Sequence, residues 1–171
     1  MGKNNGTTRT GTAGNPKGLM DSSAVANEQP SWFASQTALL NYGDTLKDNP
    51  LRESFSNVIE GELEVTKGDI KTIAYKNIPD AEFNKEKNRL AQDIPAFIAS
   101  ANYLGWADTE PGKHLEAAYF AYYNKITKRE FILCLRKMKS TGRFKPYAII
   151  SREKFNIDLA GREIHKEKPN K

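Results

Sequence analysis

The stretch LRKMKSTGRFKPY, from Leu135 to Tyr147, concentrates cations around a Ser-Thr-Gly turn and contains no carboxylate. Arginine can hold two phosphate oxygens at once, and hydroxyl and backbone amide groups at a turn can add further hydrogen bonds. The pattern therefore predicts a surface that binds phosphate or nucleic acid. The predicted binding residues are Lys137, Lys139, Ser140, Thr141, Arg143, Lys145 and Tyr147, and Arg136 is the cation that lies on the adjoining strand. The alternative is a charged hairpin that resists edge-to-edge pairing with other sheets, and composition favours neither.

Two residues outside this hairpin could also take part in chemistry. His114 precedes an alternating segment, and an imidazole changes its charge near neutral pH, so it could act as a general base or acid. The alternative, which we favour from the residues alone, is an exposed histidine at the start of a strand, because the sequence gives it no fixed partner. Lys71 could contact a phosphate from a short helix, although lysines on helices are more commonly solvated.

The composition excludes several kinds of site. The chain has 171 residues, about one domain, with the single cysteine Cys134 and two histidines. These counts exclude a disulfide framework and a cysteine-based zinc site, so we predict no metal and no cofactor. We see no apolar run of about 20 residues and no signal-peptide core, which predicts no membrane association. The expected location is the cytoplasm, or outside it after delivery by a route without a cleavable signal.

The net charge of +5 is unevenly distributed along the chain. Residues 19–111 hold 8 cations and 15 anions, a net charge of −7, whereas residues 112–154 hold 11 cations and 3 anions, a net charge of +8. A local positive field attracts polyanions, which indicates a polyanion as the partner. The alternative is that the acidic and basic halves attract each other within the folded domain.

Hydropathy patterns predict the elements that must position these residues. Residues 1–30 read as a disordered, basic, Gly/Thr-rich tail, 31–155 as one α+β domain and 156–171 as a charged flexible tail. Helices are expected within 31–104. They include a short helix after Ser31, a helical turn in NPLRESFSNVIEG, a helix starting at TKGDIK, and two abutting helices divided at Pro95 and ending at Gly105. ELEV could be a brief strand.

From His114 onward the period changes to two, which is typical of strands. HLEAAYFAYYN, EFILCLRKM and RFKPYAII are joined by connections of hairpin length, and Pro146 indicates an edge strand or a bulge. Cys134 is expected to be a small buried hydrophobic residue. The predicted fold class is α+β, with several N-terminal helices packed on a three- to four-stranded antiparallel β-meander over residues 113–151.

The order of these segments resembles a known family. VTKGDIKTIAYKN, a helix pair ending in IASANYLGW, and the sheet that begins with HLEAAYFAYYNKI resemble domains of large polyvalent proteins of phages and mobile elements. Those domains are related to the barnase/EndoU/colicin/RelE-like nuclease superfamily. The resemblance covers roughly residues 65–151, and this chain departs from the family pattern by carrying Asp69 in the helix start.

The resemblance implies a metal-independent, toxin-type ribonuclease, in which the RNA 2′-hydroxyl attacks the adjacent phosphate and cations stabilise the crowded phosphate. It implies His114 as base or acid, Lys71 and Arg136 as phosphate-binding groups, and Ser140 or Thr141 as positioning groups. Two alternatives stay open because a fold does not guarantee a reaction. One is a non-catalytic module that binds nucleic acid or a protein partner such as an inhibitor. The other is a structural component of a phage or secretion system. The oligomeric state does not follow from the sequence.

The ribonuclease hypothesis makes a direct prediction. The purified protein should cleave total RNA in the presence of EDTA, and the substitution His114→Ala should abolish the cleavage, as seen by gel electrophoresis. RNA binding without cleavage, weakening steeply with salt, would instead favour the binding module. Neither binding nor cleavage would leave the structural component.

Overall fold

The computed structural model describes residues 30–55, 61–110 and 113–166, without the side chains of residues 109–110 and 113–115. The predicted disordered tail therefore lies outside the described residues, apart from Pro30. The described helices are α1 (Gln36–Asp44), α2 (Lys67–Ala74), α3 (Ala81–Leu90), α4 (Ile94–Ser100) and α5 (Arg152–Asp158). The described strands are β1 (Leu51–Phe55), β2 (Gly61–Val65), β3 (Asn102–Glu110), β4 (Lys113–Asn124), β5 (Arg129–Lys137) and β6 (Phe144–Ile150).

The described strands form one mixed sheet in the order β1-β2-β6-β5-β4-β3. The antiparallel strands β4 to β6 are the part of the sheet that the alternating sequence pattern predicts, and β3 adds a further antiparallel strand beside β4. β2 joins it in parallel through the pair Leu63 and Phe144. The α+β class is confirmed, but the sheet is larger than predicted and is not purely antiparallel.

The hairpin of β1 and β2 corrects the prediction of a helical turn around Leu51 and Phe55. Its strands pair in register from Leu51 opposite Val65 to Phe55 opposite Gly61, so the brief strand that ELEV could form is present as part of β2. Arg52 and Glu64 form a cross-strand ion pair at 3.0 Å. The ring of Phe55 lies edge-on against Phe144, with 5.7 Å between centroids. Both contacts join residues that are distant in sequence. They outweigh the weak helical spacing of apolar residues in this segment, so it forms a strand.

The helix starts follow local capping chemistry. Thr66 and Asp69 form a reciprocal capping box at α2, which gives the Asp69 that departs from the family pattern a local role. Asp93 caps α4 and Pro95 lies in its first turn, as predicted. α1 begins after Ser35 instead of Ser31. α4 ends at Ser100 and not at Gly105, because the following residues pair with β4.

The sheet has two covered faces. Helices α1 to α4 pack on one face around buried residues of the central strands, such as Phe120, Leu133 and Leu135. α5 covers part of the other face through Phe155 and Leu159, next to Tyr119 and Cys134. We call this second side the α5 face.

The segment after α5 continues across the α5 face to the edge of β3. The backbones of Trp106 and His165 exchange two hydrogen bonds of 2.8 Å each. Gly105 has a φ of +125°, and a Cβ there would lie 2.5 Å from the carbonyl oxygen of His165, so this close approach requires glycine. The prediction of a flexible tail from residue 156 is wrong for the described residues 156–166, because packing and strand pairing order them.

Two adjacent charged side chains of α3 are fully buried. The Glu86 carboxylate accepts hydrogen bonds from Asn124 (3.0 Å), Thr127 (2.8 Å) and Arg129 (2.7 Å) around the β4–β5 turn. The Lys87 ammonium donates to the carbonyls of Ile73 (2.9 Å) and Lys76 (2.8 Å) and to the side chain of Asn77 (2.8 Å). α3 thereby holds the β4–β5 hairpin on one side and the C-terminal end of α2 on the other.

The burial of Lys87 should make the stability of the folded protein depend on pH. Burial lowers the pKa of Lys87 to about 8 in the folded protein, against about 10.5 when it is exposed. Between these values the unfolded chain binds more protons, so raising the pH favours the folded state. The free energy of unfolding of the wild type should therefore rise between pH 7.5 and pH 9.5. The rise should exceed that of Lys87→Met by about 1–2 kcal/mol, and urea denaturation at each pH measures it. A difference between the two proteins that does not change with pH would contradict this.

Candidate anion-binding cavity

A β-bulge in β6 determines where Tyr147 points. Cys134 pairs with Ala148 whereas Leu135 pairs with Pro146, so Tyr147 is an extra residue between two ladder partners. The extra residue breaks the strict alternation of side chains, and Tyr147 packs with the α5 face together with its neighbour Ala148. The sequence prediction of an edge strand or a bulge at Pro146 is confirmed as a bulge.

The bulge places Tyr147 beside Arg136. The guanidinium carbon of Arg136 lies 4.9 Å from the centroid of the Tyr147 ring. Arg136 is exposed, and no described residue pairs a carboxylate with it. Stacking on an aromatic ring orients a guanidinium and leaves its N–H donors available for an anion.

Lys76 approaches the same tyrosine from the segment after α2. Its ammonium donates to the backbone carbonyl of Tyr147 at 2.9 Å and lies 5.4 Å from the ring centroid. The approach is open because β2 pairs with β6 only at Phe144, which leaves the rest of that strand edge uncovered by β2. Burial lowers the pKa of Lys76, and the positive charges of Arg136 and Lys154 lower it further.

These residues line a cavity of about 620 Å³ on the α5 face. Its floor is the sheet, one wall is the segment Lys76 to Ile78, and the other is α5 with the residues that follow it. Four cations line the cavity: Lys76, Arg136, Lys154 and Arg162. Asp158 is the acidic residue among its lining, and it pairs with Lys154 at 2.9 Å. The cavity therefore carries an excess of positive charge.

The floor adds neutral polar groups. Burial raises the pKa of both Tyr119 and Tyr147, which line the cavity together. Burial also raises the pKa of the Cys134 thiol to about 12. These groups stay protonated near neutral pH, so the floor offers hydroxyl groups next to fixed cations. This arrangement suits the binding of an anion.

The basic hairpin of residues 135–147 lies mostly outside this cavity, and most of its cations have a different environment. Several of its cations pair with carboxylates: Lys137 with Glu116 (3.6 Å), Arg143 with Glu62 (2.6 Å) and Lys145 with Asp69 (2.9 Å). Thr141 accepts a hydrogen bond from the backbone of Arg143, whereas Lys139 and Ser140 are exposed at the turn. None of these residues lines the cavity. Glu62 and Asp69 belong to the acidic half of the chain, and Arg143 and Lys145 to the basic half. These two ion pairs agree with the alternative explanation of the charge pattern, in which the two halves attract each other within the folded domain.

The described structure does not bring the two remaining predicted residues, Lys71 and His114, into this cavity. Lys71 is exposed on α2 and does not line it. His114 lies in β4, and its side chain is outside the described residues. Arg136 and Tyr147 are thus the predicted site residues that the described cavity brings together.

Sequence reasoning missed one wall of the cavity. Lys154, Asp158 and Arg162 belong to a region predicted to be mostly flexible tail. The signal for α5 was present, since Ser151 caps the helix and Phe155 and Leu159 lie four residues apart. From the region of α2 the sequence singled out Lys71, whereas the cavity contains Lys76.

Comparisons of the chain with protein-family models, with curated proteins and with solved structures give no match. In the part of the chain that the structure describes, no helix is long and apolar enough to cross a membrane. The same residues contain no group of three His, Cys, Asp or Glu side chains that could hold a metal ion. The function is therefore inferred from the residues that line the cavity.

Cys134 offers a test of the cavity floor, because it is the only cysteine in the chain. With its pKa raised to about 12 and its side chain buried, very little thiolate is present at pH 8. Alkylation by iodoacetamide should be about a hundredfold slower in the folded protein than in urea, as followed by mass spectrometry. Similar rates in the two states would show that the floor is open and the thiol unperturbed.

Proposed function

We propose that the protein binds RNA, or a closely related polyanion, through the cavity around Arg136 and Tyr147. The observation that supports this most directly is the stacked guanidinium of Arg136, which has no carboxylate partner among the described residues. A preoriented, uncompensated arginine is a typical phosphate-binding group.

The surroundings of Arg136 favour a nucleotide over a bare ion. The volume of about 620 Å³ lies in the range of cavities that enclose small organic ligands. Tyr147 supplies an aromatic surface, and Phe155 and Ile78 supply apolar surface for a base or a ribose. An RNA ligand also fits the cytoplasmic location expected from the sequence.

The proposal concerns binding and not cleavage. The resemblance to nucleases implied that His114, Lys71 and Arg136 act together, and of these Arg136 lines the described cavity. The described lining contributes cations, protonated tyrosines and a protonated thiol, and its carboxylate, Asp158, is paired with Lys154. This set of groups suits the binding of an anion. Cleavage in EDTA, lost in His114→Ala, would add catalysis to this proposal.

Arg136→Gln should weaken the binding of a short fluorescein-labelled single-stranded RNA about tenfold, because it removes a charge-assisted contact of about 1–2 kcal/mol. Fluorescence anisotropy at several salt concentrations measures the affinity. The dependence of affinity on salt should also become shallower in the variant, since one cation fewer meets the phosphates.

Two further variants make the test specific. Arg52→Gln is the matched control, since it makes the same substitution at an exposed residue of β1, at the edge of the sheet. Lys139→Gln tests the hairpin turn. Unchanged binding in Arg136→Gln, or a larger loss in Lys139→Gln than in Arg136→Gln, would contradict the cavity as the binding site. Thermal unfolding of each variant checks that the fold is intact.

A further inference from the structure

We infer that the cavity recognises the terminal phosphate of an RNA strand, a phosphomonoester, in preference to the phosphodiesters inside the strand. This inference rests on the proposed function and names the part of the RNA that the cavity binds.

The first argument is the charge around Tyr147. Lys76 and Arg136 lie 5.4 Å and 4.9 Å from the centroid of its ring, and neither has a carboxylate partner among the described residues. An internal phosphodiester carries one negative charge, whereas a phosphomonoester carries about −1.5 to −2 at pH 7. Two cations that lie at one ring and form no ion pair with a described residue therefore match a phosphomonoester better.

The second argument is the mutual repulsion of the cations. Burial is the main cause of the lowered pKa of Lys76, and the charges of Arg136 and Lys154, which line the same cavity, lower it further. Asp158 pairs with Lys154, whereas Lys76 and Arg136, the two cations at the Tyr147 ring, form no ion pair with a described carboxylate. A doubly charged phosphate offsets the repulsion between these two with a single group.

The size of the cavity also suits the end of a strand. The sheet closes the floor, and the segment Lys76 to Ile78 and helix α5 stand on opposite sides. A volume of about 620 Å³ lies in the range of cavities that enclose one small organic ligand. A cavity of this size suits the last nucleotide of a strand, with its phosphate between Lys76 and Arg136 and its base toward Phe155.

The experiment compares three RNA oligonucleotides of one sequence: one with a 5′-phosphate, one with a 3′-phosphate, and one with hydroxyl groups at both ends. Anisotropy at neutral pH and fixed salt, with each RNA labelled internally, measures binding to the full chain. One of the phosphorylated forms should bind about tenfold more tightly than the hydroxyl-ended form. Which one it is identifies the end of the strand that the cavity holds. This comparison uses only the wild-type protein, so it does not depend on the folding of a variant.

Variants then connect the preference to the cavity. Lys76→Gln should reduce the preference for the phosphorylated end to less than about threefold, whereas Arg52→Gln should retain it in full. Retention of the full preference in Lys76→Gln would overturn the assignment of the phosphate to this site.

Failure of this inference can be told apart from failure of the proposed function. Equal affinity for all three oligonucleotides, weakened in each case by Arg136→Gln, overturns terminal recognition and leaves RNA binding at the cavity intact. No binding of any of the three by the wild-type protein overturns both.

Discussion

The buried neighbours Glu86 and Lys87 of α3 hold the parts of this fold together. A buried charge is costly unless hydrogen bonds replace the water it loses, and each of these side chains makes three. The partners of Glu86 surround the β4–β5 turn, and those of Lys87 lie at the end of α2. Because the two residues are adjacent on one helix, the positions of the sheet and of α2 depend on each other.

The candidate cavity follows from this arrangement. Lys87 holds the backbone carbonyl of Lys76, while the side chain of Lys76 reaches across the edge of β6 to Tyr147. The bulge in β6 places Tyr147 on the α5 face, where Arg136 of β5 stacks on its ring. The second wall comes from α5, which Phe155 and Leu159 anchor to the same face. Four separate segments therefore meet at one tyrosine.

Local chemistry accounts for the parts of the fold that the sequence predicted well. The capping box at Thr66, the cap at Asp93 with Pro95 after it, and the alternation along β4 to β6 depend on residues close together in the chain. The predictions failed where pairing with a distant segment decided the outcome. β1 forms because β2 pairs with it, β3 displaces the expected end of α4 because β4 pairs with it, and α5 is ordered by packing on the sheet.

By itself the sequence determined the α+β class, the antiparallel meander of β4 to β6 and the basic character of the C-terminal half. At Pro146 it indicated an edge strand or a bulge, and the pairing of β5 with β6 decided for the bulge. The sequence also singled out Arg136, because that cation lies on a strand and not at the turn. Only the tertiary structure decided which cations remain available to a ligand. Arg143 and Lys145 meet Glu62 and Asp69, which are distant in sequence, whereas Arg136 meets the ring of Tyr147. The physical reason is that electrostatic attraction depends on distance in space, and the pairing of distant strands sets that distance.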